Sequence, residues 1–244
     1  MNIVITAGGT SEYIDKVRKI TNSGSGKLGS MIANTLLKRT DIQKIFYICS
    51  EKAILPWDDK RIEIIRIKGT IDLKNAVKNV LSQNHIHWFI HSMAVSDYYV
   101  DAVTTAERIA KETATTSDIT NVLKNPKNRI DNSDKISSYE DNLILVLKQT
   151  PKIIGMIHNL SPDTHLIGFK LLENVTVPHL IEVASNLRDK NHCEYVLAND
   201  LANIGHGYHE AYLLDKQGHY TTLHTKEQIA AAITDVIYKD EYTN

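Results

Sequence analysis

Four short, nearly continuous apolar runs constrain the fold of this chain more than any other feature. They are NIVIT (residues 2–6), KIFYIC (44–49), RIEIIRI (61–67) and WFIH (88–91). A strand with one wet face alternates apolar and polar residues, whereas a run apolar almost throughout is buried on both faces. Between the runs, residues 27–38 space Leu28, Ile32, Leu36 and Leu37 as a helix does. Residues 72–83 repeat the pattern with Leu73, Ala76, Val77, Val80 and Leu81. Strands alternating with helices predict an α/β fold: a Rossmann-like parallel sheet covered by helices on both faces.

The pattern lapses after Tyr99. Residues 104–138 are rich in Thr, Asn, Asp and Lys, are interrupted by Pro126, and carry no strong core face; a helix is expected there only over 106–124. So long a stretch between core elements is a lid, an interface element or a mobile segment, and residues 100–140 read as a flap insertion. Order returns at LILVL (143–147), followed by a helix opened by Pro151 with Ile153, Ile154 and Ile157. A strand over 165–169, a helix over 177–188 and a strand over 194–197, ending at Ala198-Asn199-Asp200, come next. Residues 211–214 and 220–223 flank Lys216-Gln217-Gly218 and predict a C-terminal β-hairpin, before a last helix over 226–237. No linker composition forces a cut, so one domain over 1–244 is expected.

A hydrophobic content of 42% supplies a sizeable core, and a net charge of −1 gives no global case for nucleic acid or an anionic membrane. The two cysteines, Cys49 and Cys193, have no metal-like spacing; Cys49 within IFYICS reads as a buried small hydrophobe in a reduced compartment. Nothing near Cys49 in sequence would lower its pKa and make it a nucleophile. No apolar stretch approaches the ~20 residues that cross a bilayer, and the first residues lack the layout of a signal peptide. A cytoplasmic setting is expected. His85, His87, His206 and His209 do not present three convergent ligands, so no metal is assigned to them.

Gly8-Gly9-Thr10 closes the first strand, where α/β folds place ligand loops. Gly24-Ser25-Gly26-Lys27-Leu28-Gly29 fits G-x-G-x-x-G, but about fifteen residues separate it from Gly9, whereas the dinucleotide fingerprint follows its strand directly. Cys49-Ser50 stands where that motif needs an acidic residue, and Leu28 replaces the Ser or Thr of a P-loop. What remains is a glycine turn entering a helix N-terminus beside Ser25 and Lys27. Such a turn binds phosphate through backbone donors and the helix dipole, or is simply a tight turn with an exposed lysine. Asp97 ends the fourth strand, either as a nucleotide ligand or as an Asx turn or cap. Lys135, taken alone, is a solvated lysine.

The order T-A-G-G-T-x-E-x-I-D-x-V-R over residues 6–18, then Ile20-Thr21-Asn22, then Ser25-Gly26-Lys27 and Gly29, resembles the phosphopantothenate–cysteine ligases. Ala94-Val95-Ser96-Asp97-Tyr98, Lys135-Ile136, Thr150-Pro151, Gly168-Phe169 and Ala198-Asn199-Asp200 follow in that family's order, so the resemblance runs along the whole chain in separated islands. It implies an enzyme of coenzyme A synthesis that joins 4′-phosphopantothenate to cysteine through an acyl-nucleotide, releasing pyrophosphate. It implies CTP (or ATP) as co-substrate, with CTP favoured, and Mg²⁺ bound mainly through the triphosphate; no flavin is expected. Asn22 and Lys135 become the catalytic candidates, Asn22 holding the acyl region and Lys135 riding on a closing flap. Arg18, Asn22 and Ala94 become substrate ligands, Arg18 reaching the substrate phosphate across a homodimer interface. Gly8, Gly9, Thr10, Ser25, Gly26, Lys27, Asp97 and Phe169 become nucleotide ligands.

The chain departs from that pattern in places. Gly24 stands where many members have Ser, and Lys135-Ile136-Ser137-Ser138 replaces Lys-Ile-Lys-Lys, so that only Lys135 carries over. The insertion before Lys135 is longer than in compact bacterial members, and a stand-alone ligase served by a separate decarboxylase is expected. Two rival readings keep the same loops: an NAD(P)-dependent oxidoreductase and a non-enzymatic nucleotide-binding module.

Overall fold

The computed structural model describes residues 1–114, 118–205 and 207–243. Its main sheet has eight strands. Parallel strands come first in chain order: β1 (Asn2–Ala7), β4 (Lys44–Ser50), β5 (Ile62–Ile67), β6 (Trp88–His91), β9 (His165–Leu172) and β10 (Tyr195–Gly205). The antiparallel strands β11 (Tyr208–Leu214) and β12 (Tyr220–Leu223) extend the sheet beyond β10 as the expected C-terminal hairpin. Across the sheet the order is β12-β11-β10-β9-β6-β1-β4-β5. From β1 the chain first winds one way, to β4 and β5, then returns to β6 and winds the other way. The reversal between β1 and β6 opens a crevice beyond their carboxyl ends, which is where doubly wound folds bind ligands.

The apolar runs form strands because alternate residues feed two cores. Ile3 and Ile5 pack with Ile32, Ala33 and Leu36 of α1 (Lys27–Leu37) and with Ile229, Ile233 and Ile237 of α7 (Lys226–Thr243). Val4, Phe46 and Ile48 point the other way, onto Leu73 and Val77 of α2 (Thr70–Gln83), Ile157 of α5 (Ile154–Leu160), and Leu180 and Ala184 of α6 (Val177–Asn191). Helices therefore cover both faces of β1, β4 and β6, as their runs predict, whereas the RIEIIRI run forms the edge strand β5 and is buried only at Ile67. Truncating a fully buried member such as Ile5 to Ala costs roughly 2–5 kcal/mol, transfer and cavity together.

Several features differ from expectation. A small antiparallel hairpin, β2 (Ser11–Tyr13) with β3 (Lys19–Thr21), stands between β1 and α1. The LILVL run does not join the main sheet: β8 (Leu143–Gln149) pairs antiparallel with β7 (Tyr98–Thr105) in a separate two-stranded arm. The stretch expected to lack a core face does bury a few apolar residues, Ile109, Val122 and Ile136. Its few apolar residues are too scattered to make a periodic signal, yet Thr105 and Asp118 cap α3 (Ala106–Thr113) and α4 (Ile119–Lys124) by accepting from Arg108 and Asn121 amides. The helix expected over 106–124 is thus two helices, and residues 115–117 of the flap lie outside the described residues, as does His206. Pro151 precedes α5 by three residues rather than opening it. Among the described residues no helix is long and apolar enough to cross a membrane.

Candidate active site

Two backbone loops meet at the carboxyl end of β1. Gly8 turns with φ +91°, and a Cβ there would strike Ser50 Oγ. Gly9 lies so close to the chain leaving β3 that a Cβ would fall 1.9 Å from the Asn22 carbonyl oxygen. Gly24 meets Gly8 from the other side, its would-be Cβ 2.4 Å from the Gly8 oxygen. In this chain a Ser at position 24 would therefore force the loops apart. Hydrogen bonds fix the contact: Asn22 N–H to Thr10 O at 3.1 Å, Gly24 N–H to Asn22 O at 2.9 Å, and Gly9 N–H to Ser50 Oγ at 3.4 Å. With its backbone so held, Asn22 leaves a side-chain amide that makes no hydrogen bond among the described residues.

The second loop runs straight into α1. Gly26 is its N-cap, left-handed at φ 74°, with no side-chain cap and no acidic residue in the first turn. The early N–H groups and the positive end of the helix dipole thus face outward without an internal counter-charge. Ser25 Oγ accepts only the Lys27 amide, at 3.3 Å, and Lys27 is exposed.

Ala94 stitches β6 to this platform through its backbone. Its N–H donates to Gly8 O at 2.9 Å and its oxygen accepts from Thr10 N–H at 3.0 Å. Thr10 and Ser96 are buried and mutually bonded: Thr10 Oγ1 donates to Ser96 Oγ at 3.0 Å, and Ser96 N–H donates to Thr10 Oγ1 at 2.8 Å. Beneath them Thr6 Oγ1 meets His91 Nδ1 at 2.9 Å, with His91 buried and its pKa pushed down to about 4 by loss of solvent. That imidazole is neutral and structural, pinning β1 to β6 where the sheet reverses.

A cleft of about 470 Å³ opens beside the platform, between the β2–β3 hairpin and the ends of β4 and β5. Gly9, Asn22 and Ser25 line it, together with Lys19, Lys52 and Lys68. Sequence reasoning missed these lysines, although Lys52 and Lys68 follow the ends of β4 and β5 and were open to the rule that ligands sit beyond strand ends. Glu51 is the single acidic residue among those lining the cleft. Glu12, by contrast, is engaged: its Oε1 accepts from Thr70 N–H at 2.9 Å and Thr70 Oγ1 at 2.7 Å. Positive charge predominates, which suits a polyanion. A larger hollow of about 810 Å³ at the opposite end of β9 and β10, lined by His158, His165 and Lys216, contains none of these loops.

The remaining candidates are spread out. Asp97 is exposed and ion-paired with Lys152, while its carbonyl accepts from Thr150 N–H at 2.9 Å. Phe169 stands in the middle of β9, two strands from β1, partly buried against the α1–α7 core. Arg18 stands at the hairpin tip and donates to the carbonyl of Ile136, the residue after exposed Lys135, at 3.1 Å. Neither Arg18 nor Lys135 lines the cleft. Among the described residues no group of three His, Cys, Asp or Glu could hold a metal ion. The thiols are inert: burial raises the Cys49 pKa and pushes Cys193 up to about 12.

Residues 1–130 and 125–240 match the family model described as the DNA/pantothenate metabolism flavoprotein C-terminal domain. The chain belongs to that family. A solved member, the DNA/pantothenate metabolism flavoprotein from Streptococcus pneumoniae, is 36% identical with a TM-score of 0.84, and the match covers 98% of both chains. The coenzyme A biosynthesis bifunctional protein CoaBC of Thermococcus kodakarensis is 27% identical over 238 residues, covering 97% of this chain and 51% of that protein. Its Escherichia coli namesake is 33% identical over 211 residues, covering 85% of this chain and 43% of that one. The chain spans about half the length of the curated relatives it matches.

Proposed function

We propose that the chain is a phosphopantothenate–cysteine ligase acting in coenzyme A synthesis, with CTP preferred to ATP. One observation carries the reading. Two glycine loops packed backbone to backbone beside an uncapped helix N-terminus form a phosphate platform at the sheet's reversal, with lysines around it and the free Asn22 amide inside. Family membership in pantothenate metabolism supplies the substrate class.

A carboxylate is a weak electrophile, so the carboxylate of 4′-phosphopantothenate first attacks the α-phosphorus of the triphosphate. Pyrophosphate leaves, and an acyl-nucleotide anhydride remains. The amine of cysteine then attacks the acyl carbon and the nucleoside monophosphate departs, which makes the amide. The triphosphate and phosphopantothenate are both anionic, so catalysis consists of positioning and charge neutralisation. Ser25, Gly26 and Lys27 hold phosphate oxygens, joined by Lys52 and Lys68, above the floor that Gly8, Gly9 and buried Thr10 build. Asn22 donates its amide to the acyl–phosphate region, and Ala94 bounds the substrate channel. Asp97 and Phe169 face the nucleoside.

Bound Mg²⁺ would neutralise the triphosphate. Mg²⁺ keeps several waters and uses one or two carboxylates plus substrate phosphates, and the single cleft carboxylate, Glu51, fits that demand. The reaction transfers no electrons, so the reading asks for no flavin. The nicotinamide alternative needs a glycine turn leading from β1 directly into a helix, whereas here β1 leads into the β2–β3 hairpin.

Asn22 and Arg18 lie four residues apart along β3, about 13 Å at strand spacing. We place them in different sites of a symmetric homodimer, with Arg18 and the Lys135 flap of one subunit closing over the other subunit's Asn22. The deciding assay supplies phosphopantothenate, cysteine, Mg²⁺ and either CTP or ATP. Pyrophosphate and phosphopantothenoylcysteine are expected in equal amounts, faster with CTP. Absence of pyrophosphate with both triphosphates refutes the ligase.

A further inference from the structure

The tip of the β2–β3 hairpin carries a carboxylate that solvent barely reaches. Asp15 is 2% exposed. Its Oδ1 accepts the backbone N–H of Val17 at 2.9 Å and of Arg18 at 2.6 Å. Its Oδ2 accepts two guanidinium N–H groups of Arg18, at 2.9 and 2.5 Å, and also the backbone N–H of Ile136 at 3.1 Å. The same guanidinium donates to the Ile136 carbonyl. Ile136 is 3% exposed, so a residue adjacent to Lys135 is gripped at both of its backbone groups and by its side chain.

The grip is broader than one residue. Asn132 Nδ2 donates to Ile14 O at 2.8 Å, and Lys16 pairs with Asp134 at 3.0 Å. Arg18, then the backbone amides, hold the Asp15 carboxyl well below the usual carboxylate range, so it is ionised wherever the protein is folded at ordinary pH. A five-residue turn needs only the local bonds to Val17 and Arg18. The bond to Ile136, 121 positions along the chain, serves the distant loop instead.

We propose that Asp15 is a positioning residue that acts through Arg18 and Ile136 to set the reach of Lys135 toward the reacting phosphate. The inference rests on the role proposed for Lys135 and deepens it. Arg18 closes the far side of the clasp: it bonds both the carboxylate and the loop it positions. Losing the Asp15 charge frees the loop, and Lys135 then samples positions from which its ammonium misses the phosphate.

The test uses Asp15→Asn, an isosteric change that replaces one acceptor oxygen by a donor facing the Ile136 N–H and Arg18. Displacement of a catalytic group by about 1 Å costs up to a hundredfold, so kcat is expected to fall at least about tenfold, with KM for the triphosphate within about twofold. Hydrogen exchange at the Ile136 amide should accelerate while exchange in β1 and β6 stays as in wild type. In a Lys135→Gln background, Asp15→Asn should cost no further kcat, because the group it positions is gone, while any misplacement of Arg18 reads separately as a raised KM for phosphopantothenate. Independent, multiplicative losses overturn the proposal, and so does wild-type exchange at Ile136. Should Asp15→Asn fail to fold, Asn132→Ala loosens the same loop from its other anchor, and it should speed Ile136 exchange and lower kcat about threefold; no change in either overturns the clasp. Full activity of Lys135→Gln alone would sink the role of Lys135, and the Ile136 exchange rate would still decide whether Asp15 holds the loop.

Discussion

Gly9→Ala tests the contact on which the site is built. The Gly9 backbone does not lie in the left-handed region, so alanine is conformationally allowed and only space opposes it. The added Cβ would sit 1.9 Å from the Asn22 oxygen, 2.9 Å from its carbonyl carbon and 3.1 Å from the Gly24 nitrogen. All three are backbone atoms, and no rotamer can relieve them. Restoring an ordinary contact moves the Asn22–Gly24 loop by roughly 1 Å or more, a displacement that costs up to a hundredfold in rate when it misplaces a reacting group. The shift strains the Asn22 N–H to Thr10 and Gly24 N–H to Asn22 bonds, each worth about 1 kcal/mol, so with overpacking the loss of stability is about 1–3 kcal/mol. For a chain of this size that lowers Tm by about 3–10 °C. Gly155→Ala is the control: it lies in α5, and its Cβ would meet only Asn191 Oδ1, at an ordinary 3.4 Å. Helix propensity predicts a gain there of about 0.5–1 kcal/mol. Pyrophosphate release at 25 °C, where both variants are folded, and thermal melts read the two effects separately. Wild-type turnover together with wild-type Tm for Gly9→Ala would refute the packed-loop site.

Three further outcomes are expected. Burial lowers the folded pKa of His91 to about 4, so as pH falls below the unfolded value near 6.5 the unfolded chain takes the proton first; stability is lost between about pH 6.5 and 4, by about 2–3 kcal/mol at pH 4.5. Urea unfolding of wild type minus His91→Gln should show that slope, since His209, lowered to about 4 in the same way, cancels in the difference; a flat difference curve rejects a buried neutral His91. Lys52→Ala and Lys68→Ala should each weaken triphosphate binding by calorimetry about three- to tenfold, more so at low salt, and leave Tm within about 2 °C; unchanged affinity in both would move the triphosphate out of this cleft. Asn22→Ala mixed with Arg18→Ala, or with Lys135→Gln, should regain about a quarter of wild-type activity after subunit exchange, whereas Arg18→Ala mixed with Lys135→Gln should regain none.

The parallel core was legible because its signal is local. β1, β4 and β6 are buried on both faces and read as apolar runs within single windows of sequence. β2 and β3 were not legible: each has three residues, β3 is exposed throughout, and no alternation marks them. β7 and β8 each carry apolar residues, but their pairing joins Tyr98 to Gln149 and Thr105 to Leu143, and no local pattern announces a partner some forty residues away. The same divide runs through the site. The glycine loops and Asn22 stood out by type and spacing, while Lys52 and Lys68 gained meaning only when β4 and β5 were placed beside β1. Asp15 looked like one more turn residue, because its decisive partner, the Ile136 amide, lies beyond any sequence window.

That partner also dictates how the proposed site must be divided between subunits. Asn22 is fixed at the base of the hairpin by Thr10 and Gly24, against the sheet's reversal. Arg18 is fixed at the tip by Asp15, and through Asp15 and Ile136 the Lys135 loop is fixed there too. Hairpin geometry keeps the backbone of base and tip about 13 Å apart, too far for the Arg18 and Asn22 side chains to touch the same atom. Whatever brings Arg18 to a site therefore brings Lys135 with it. If Arg18 serves the neighbouring subunit, Lys135 does as well, and the two cannot rescue each other because each site of the mixed dimer keeps one of the two defects. Asn22 complements either one because it belongs to the other half. Activity returning in the Arg18→Ala and Lys135→Gln mixture would separate the two side chains and break the clasp as a functional unit.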